Sequence, residues 1–141
     1  MIGTGNNTMK QLDVMQMAMG ASVKRKQLID NNIANASTPN YKRQDITFHA
    51  ELKRSLDSEK YYPGEPFKTS REKHIPIMRV KDYRDVEAKK FTEFNTYQNN
   101  DGNSVDIEKE MMENTKNTLY YNALVQRSTK EFNKIKFLLR Q

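Results

Sequence analysis

Few side chains in this 141-residue sequence are suited to acid–base, redox or metal chemistry, and they lie far apart. The two histidines, His49 and His74, lack neighbours at the spacing of metal ligands, and there is no cysteine to supply a thiolate. No glycine-rich phosphate loop, zinc-protease motif or serine-hydrolase motif occurs. We therefore predict no catalytic residue, no metal and no cofactor, and we do not expect an enzyme.

Two pairs of nearby carboxylates have a spacing that could support acid–base chemistry, Asp82 with Asp85 and Glu108 with Glu110. Both pairs lie in highly charged segments. In such segments a solvated protein surface is the more common explanation for neighbouring acidic residues. We interpret all four carboxylates as surface charges.

The net charge of +6 raises the question of nucleic-acid binding. Residues 1–40, 41–104 and 105–141 hold four, thirteen and seven basic residues against two, eleven and five acidic ones, so each zone contributes +2. Nucleic-acid binders usually concentrate their bases on one face or arm, whereas here bases and acids are interleaved. We predict no nucleic-acid partner.

Residues 1–20 lack the basic start and the apolar run of a cleaved secretory signal. No segment approaches the roughly 20 apolar residues that a membrane span needs. If the chain leaves the cytoplasm, we expect export without a cleaved signal peptide.

Residues 31–44, NNIANASTPNYKRQ, contain the most distinctive pattern of the chain. Pro39 disfavours a helical Thr38, so a helix that enters this segment must stop by about Ser37. Proline followed by asparagine fits a type II turn, in which Asn40 takes the positive φ. Local physics alone predicts no more than a helix end followed by a turn.

A first helix is predicted from about Thr8, a candidate N-cap, to Ala36, after a pliable or disordered tip at residues 1–7. Apolar residues at helical spacing form a stripe, whose register also passes through Ser22 and Lys26. The residues of this predicted packing stripe are Leu12, Met15, Met19, Ile29 and Ile33.

A second long helix is predicted to begin with Asn103 or Ser104 as its cap and to continue to about Leu139. Its seam alternates spacings of four and three residues, the period of a coiled coil. Polar residues interrupt the seam and could fix the register of a multi-helix assembly. The seam positions are Ile107, Met111, Asn114, Thr118, Tyr121, Val125, Ser128, Phe132, Ile135 and Leu139.

The predicted fold class is mainly α, with two long terminal amphipathic helices of the coiled-coil or helical-hairpin type around an irregular, partly disordered middle segment. We divide the chain into residues 1–40, 41–104 and 105–141. Within the middle we predict a short helix at 48–56, a turn cluster at 61–66, and short strands at 75–80 and 91–97. Two helices cannot bury each other's full faces, so further copies or relatives are needed.

The string NIANASTPNYK, from Asn32 to Lys42, resembles the signature N-I-A-N-x-x-T-P-x-Y of the bacterial flagellar rod and hook proteins. Many members have glycine where this chain has Asn40. The tail segments 105–111, 121–124 and 132–138 resemble the B-type proximal rod subunits, the FlgB family, with the C-type rod subunits as the nearest alternative. The corner motif, where the chain leaves the first helix, consists of Asn32, Asn35, Thr38, Pro39, Asn40 and Tyr41.

This resemblance implies a self-associating structural subunit of the flagellar proximal rod, the motor's drive shaft, with its terminal helices in the inner coiled-coil layer of a helical tube. It further implies export by the flagellar type III apparatus without a cleaved signal and assembly in the periplasm within the basal body. The implied partners are the hook-basal-body adaptor and other proximal rod subunits. The alternative is a generic helical adaptor or coiled-coil protein of a secretion or filament assembly.

Overall fold

The computed structural model describes residues 4–61, 81–94 and 104–140, and within them the side chains of 7–60, 81–94 and 104–140. Their architecture is mainly α-helical, as predicted, with a long helix near each end. The elements in chain order are α1 (Thr4–Ala34), β1 (Gln44–Thr47), α2 (His49–Tyr61), a 3-10 turn (Tyr83–Asp85), β2 (Lys89–Thr92) and α3 (Ile107–Leu139).

The chain divides into two compact units. The first, which we call the hairpin unit, comprises Met1–Ile46 and Lys89–Gln141, and its core includes Met15, Ile29 and Val105. The second comprises Thr47–Ala88. Among its described residues, the buried apolar side chains are Phe48, directly before α2, Leu52 within α2, and Tyr83 and Val86 at the 3-10 turn.

α1 and α3 pair with each other as an antiparallel helical hairpin. Ser22 bonds to Asn117, whereas Asn32, further along α1, bonds to Glu110, nearer the start of α3. Residue numbers therefore rise along one helix as they fall along the other. Most of the helix stability comes from this pairing, because isolated helices in water are marginal.

The corner motif ends α1 as its chemistry predicts. Tyr41 N–H donates to the carbonyl oxygen of Thr38 at 3.2 Å, which closes a four-residue turn around Pro39 and Asn40. Asn40 has φ of 60°, the positive value that the third position of a type II turn requires. Among the described residues other than glycine, Asn40 alone has a positive φ.

Both long helices begin at positions other than those predicted. α1 already starts at Thr4, so Thr8 lies inside the helix rather than capping it, and the predicted pliable tip is helical from residue 4 onward. α3 is capped by Asp106, whose carboxylate accepts from Lys109 N–H at 3.2 Å. Ser104 is no cap because its buried hydroxyl accepts Arg43 N–H at 2.8 Å. Asn103, the other predicted cap, lies outside the described residues.

The middle segment is more regular than its pattern indicates. The predicted helix at 48–56 exists as α2, which starts at His49 and continues to Tyr61. β1 was not predicted, and the predicted strand at 91–97 instead covers Lys89–Thr92, with 95–97 outside the described residues. The predicted strand at 75–80 and the turn at 62–66 also lie outside them.

β1 and β2 form a two-stranded sheet. Glu93 N–H, just after β2, donates to the carbonyl of Arg43, just before β1, at 2.9 Å. The start of β1 thus meets the end of β2, which is the antiparallel arrangement. This pairing holds Arg43 and Glu93 next to each other.

We expect the positive φ of Asn40 to govern which residues the corner tolerates. Asn40→Val should lower the free energy of unfolding by about 1 to 2 kcal/mol, because a Cβ branch is strained in the left-handed region. Asn40→Gly, the matched control, should stay within about 0.5 kcal/mol of the parent chain. Urea unfolding followed by circular dichroism measures both, and an equal loss in the two variants would contradict the role of φ.

Candidate assembly site

Asn32, the first asparagine of the corner motif, is completely buried. Its Nδ2 donates to the carbonyl of Gln44 at 2.8 Å and to Glu110 Oε2 at 3.0 Å. Its Oδ1 accepts from Gln44 N–H at 3.0 Å and from the Tyr41 hydroxyl at 3.3 Å. The amide therefore pairs with the Gln44 backbone as a neighbouring strand would, and all of its hydrogen-bonding capacity is used.

Arg43, two residues after Tyr41, is buried and surrounded by carboxylates. Its guanidinium donates to Glu110 through Nε, to Glu93 at 2.9 Å and to Asp45 at 3.1 Å. Burial opposes the charged guanidinium, but the hydrogen bond and charge of Glu110, together with the charges of Asp45 and Glu93, raise the pKa of Arg43. Glu110 has no solvent exposure, so this ion pair lies in the interior.

Arg25, on α1, extends the same network. Its guanidinium binds both carboxylate oxygens of Asp45, at 3.0 and 3.1 Å, and reaches Glu113 on α3 at 3.2 Å. We call Arg25, Asn32, Arg43, Asp45, Glu93, Glu110 and Glu113 the corner cluster. Its two guanidinium groups face four carboxylates, so the negative charges exceed the positive ones by two.

The two carboxylates that Arg25 binds are held in their ionised form. Burial raises the pKa of Asp45, but hydrogen bonds from Arg25 and from Ile46 N–H, with the charges of Arg25 and Arg43, bring it below its ordinary value. The pKa of Glu113 is also lowered, first by the hydrogen bond from Lys116 and then by the charges of Lys116 and Arg25.

A second polar contact joins the two helices two turns away from Glu110. Ser22 Oγ donates to Asn117 Oδ1 at 2.8 Å, and Asn117 Nδ2 donates to the carbonyl of Ser22 at 2.9 Å. Both residues are buried. The interface between α1 and α3 is thus anchored by hydrogen bonds as well as by apolar packing.

The described residues contain neither a metal site nor a helix that could span a membrane. Within residues 4–61, 81–94 and 104–140, no group of three acidic or histidine side chains is placed to hold a metal ion. No helix in this part of the chain is long and apolar enough to cross a membrane. The cluster joins chain segments to each other, since Arg25 bonds to Asp45 and Glu113 and Arg43 bonds to Glu93 and Glu110.

The predicted packing residues of α1 lie at or beside its interface with α3. Met15 and Ile29 are buried, whereas Leu12, Met19 and Ile33 are only partly covered. The row that completes the interface consists of Ala18, Arg25 and Asn32, each one residue before a position of the predicted register.

The predicted seam of α3 lies largely outside the interface. Asn114, Ser128 and Ile135 are partly covered. Tyr121 is slightly more exposed, with 36% of its surface accessible. Five apolar seam residues are more exposed than Tyr121, and we call them, together with the exposed Thr118, the apolar stripe: Ile107, Met111, Val125, Phe132 and Leu139. Further large apolar side chains are exposed elsewhere on the helix, namely Met112, Leu119, Phe137 and Leu138.

The corner motif residues divide by depth. Asn32 is buried, and Asn35 and Tyr41 are half-buried, whereas residues 38–40 are exposed at the turn. Asn35 completes the end of α1, since its Nδ2 donates to the carbonyl of Asn31 at 2.9 Å. Burial raises the pKa of Tyr41, and the negative charge of Glu110 raises it further, so its hydroxyl keeps the proton that it donates to Asn32.

The interpretation of Glu108 and Glu110 as a pair of surface carboxylates was wrong for one of them. Glu108 is exposed, but Glu110 is buried against Arg43 and Asn32. Sequence reasoning also missed Arg43 and Asp45. The available signal was their position directly after the corner motif, but nothing in their spacing indicates that Glu110, 67 residues after Arg43, is the partner.

Removing the buried carboxylate should destabilise the hairpin unit strongly. Glu110→Ala leaves the Arg43 guanidinium buried without its main partner, and we expect a loss of about 3 to 5 kcal/mol in the free energy of unfolding. Glu108→Ala, the matched control two residues away, should change it by no more than about 0.5 kcal/mol. Chemical unfolding measures the free energy of unfolding of both variants. Similar losses in the two would show that the buried Glu110 contributes no more to stability than the exposed Glu108.

Stability should also depend on pH in the acid range. Asp45 and Glu113 have ordinary pKa values of 3.8 and 4.5, and both are lowered in the folded chain. Their contribution is therefore fully present above those values and is lost as pH falls through the lowered ones. Thermal unfolding from about pH 6 to pH 2.5 should show this loss, and Asp45→Asn should reduce its steepness. A chain whose stability rises on acidification would refute the assignment.

Comparison with known proteins places the chain among its relatives. No family model matches it. The flagellar basal body rod protein FlgB of Borreliella burgdorferi is 30% identical over 131 residues, which cover 93% of this chain and 91% of that protein. FlgB of Bacillus subtilis is 38% identical over 119 residues, 84% of each chain. FlgB of Aquifex aeolicus is 40% identical over 98 residues, 70% of this chain and 67% of that protein.

These relatives match most of the chain and come from diverse bacteria. They confirm the family that the motif and the tail segments predicted. The chain belongs to the FlgB family of flagellar basal body rod proteins.

Proposed function

We propose that this chain builds the proximal rod of the bacterial flagellar basal body as a structural subunit, with its α1–α3 hairpin as the assembling element. The family is structural and is not known for enzymatic activity. The observation that carries the assembling role is the exposure of the apolar stripe on α3, where Met111 and Phe132 leave 59% and 55% of their surfaces uncovered.

An exposed apolar row of this length favours contact with another protein. The stripe extends from Ile107 to Leu139, which is roughly 48 Å along a helix that rises 1.5 Å per residue. Contiguous exposed apolar patches on monomers rarely exceed a few hundred Å², and larger ones mark interaction sites. Its spacing of four and seven residues suits the helices of related subunits, which can insert knobs between its side chains.

The finer features of the proposal follow the family resemblance. We infer self-association in the helical rod, together with contacts to the hook-basal-body adaptor and other proximal rod subunits. We also infer export through the flagellar type III apparatus without a cleaved signal peptide, followed by assembly in the periplasm. The corner motif would then direct the chain out of the inner helical layer, because Pro39 and Asn40 end α1 with a sharp turn.

A strain that lacks this gene should build no complete hook-basal bodies, and the intact gene supplied in trans should restore them. Electron microscopy of purified basal bodies measures the outcome, and a motility assay supports it. Complete hook-basal bodies in the deletion strain would exclude the rod function and favour the alternative of a generic helical adaptor.

The stripe itself can be tested with a matched pair of substitutions. Val125→Asp places a charge on the stripe, whereas Ala123→Asp places the same charge on the opposite side of α3, since two residues are about 200° apart on a helix. Both positions are exposed, so the two proteins should have similar unfolding midpoints. Only Val125→Asp should abolish rod assembly in the deletion strain, and normal rods from it would exclude the stripe as the contact.

A further inference from the structure

In each of the two helices, one row of residues at the α1–α3 interface lies one position before the row that the sequence predicted. In α1 the contact row Ala18, Arg25 and Asn32 replaces Met19, Lys26 and Ile33. In α3 the row of Glu110, Asn117 and Leu124 replaces the stripe positions that directly follow them. The other row of each seam, which includes Ser22 and Ile29 in α1 and Asn114 and Ser128 in α3, is retained.

Each helix is therefore turned about its own axis, and both turn in the same sense. Each predicted contact face consists of two rows, of which one is kept and the other is replaced by the row one residue earlier. Since neighbouring residues are about 100° apart on a helix, the centre of the observed contact face lies about 50° from the centre of the predicted one. In an antiparallel pair, equal turns of this kind move the displaced rows to the same side of the hairpin. The bonds of Asn114 to Lys26 at 3.3 Å and to Asp30 at 3.4 Å, both exposed, bridge the helices on that side.

The rotation is notable because the rejected seam is the more apolar one. The stripe would bring Met111, Thr118, Val125 and Phe132 into the interface in place of Glu110, Asn117, Leu124 and Glu131. Apolar burial alone favours the rejected seam, since it scales with the area removed from water. Some other interaction must hold the helices in the observed rotation.

The buried hydrogen bonds supply that interaction. Glu110 reaches Arg43 and Asn32, and Asn117 reaches Ser22, only in the observed rotation. Turning α3 to bury the stripe would move Glu110 away from the Arg43 guanidinium and the Asn32 amide, and loss of a partner by a buried polar group is costly. Single polar residues at helix interfaces are known to fix register in the same way.

We propose that the buried polar pairs Ser22 with Asn117 and Asn32 with Glu110 determine the rotation of α1 against α3 and thereby prevent the chain from burying its own apolar stripe. The stripe consequently stays available to a neighbouring subunit, a last step that rests on the proposed function. Ser22, Asn32, Glu110 and Asn117 are thus specificity-determining residues, which act through the position of the helices without touching the partner.

Thiol labelling tests the rotation directly, because the chain has no cysteine of its own. Thr118→Cys reports on the stripe, and Thr115→Cys is the matched control. Both threonines are exposed, and each bonds to the carbonyl four residues earlier, at 2.9 and 3.0 Å. With the polar pairs intact, the two cysteines should react at similar rates in a monomeric, dilute sample. A Thr118→Cys that reacts much more slowly than the control would overturn the proposal.

The decisive variant combines Ser22→Ala, Asn117→Ala, Glu110→Ala and Arg43→Met, which breaks both polar pairs and also removes the buried guanidinium that Glu110 compensates. The helices should then turn toward the apolar seam. Labelling of Thr118→Cys should slow by roughly tenfold relative to Thr115→Cys while the helical signal is kept. Unchanged relative rates in a folded variant would overturn the proposal.

If that variant loses its helical signal, a second measurement decides. Thr118→Leu and Thr115→Leu are compared in chains with both polar pairs intact. The proposal requires the two unfolding midpoints to agree, because the pairs keep position 118 outside the interface. A midpoint that rises only for Thr118→Leu would mean that the helices turn freely and would overturn it. These outcomes are read from the purified chain, so they are independent of whether the gene is needed for rods.

Discussion

The carboxylate of Glu110 is completely buried and the guanidinium group of Arg43 is nearly so, and the charge of Glu110 depends on Arg43 for compensation. Because Arg43 follows the corner motif and Glu110 lies in the first turn of α3, this ion pair joins the two halves of the hairpin unit. Asn32 adds a neutral amide that bonds to Glu110 and to the Gln44 backbone at once. The start of α3, the end of α1 and the approach to β1 therefore have one mutually compatible arrangement.

That arrangement decides which face of α3 is left for other proteins. Glu110 must point toward Arg43, and residues at intervals of seven along the helix, Asn117 and Leu124, follow it toward α1. Ile107, Met111, Val125, Phe132 and Leu139 are consequently turned away from the interface and exposed. These two features suit a structural subunit. The buried polar contacts fix the fold of the hairpin unit, and the exposed apolar surface remains available for contact with neighbouring subunits.

Much of the fold could be read from the sequence. The mainly helical class, the two long terminal helices, the helix end before Pro39 and the positive φ of Asn40 all follow from local rules, namely helical periodicity, the steric effect of proline and the turn preference of asparagine. The helix starts were less accurate. Asp106 caps α3 in place of Ser104, because the hydroxyl of Ser104 is already bonded to Arg43 in the folded unit.

The sequence by itself determined the helices, the corner between them and the family to which the chain belongs, because each of these depends on residues that are close together along the chain. Only the tertiary structure decided that Glu110 is buried, that Arg43 is its partner, and that the contact face of each helix is turned by about 50° from the predicted seam. Periodicity counts apolar residues and therefore selects the most apolar face. The folded chain instead satisfies the buried charge of Arg43 and the buried amide of Asn32. Both bond to Glu110, which lies 67 residues after Arg43 and 78 residues after Asn32. Leaving these groups unpaired costs more than exposing a row of apolar side chains.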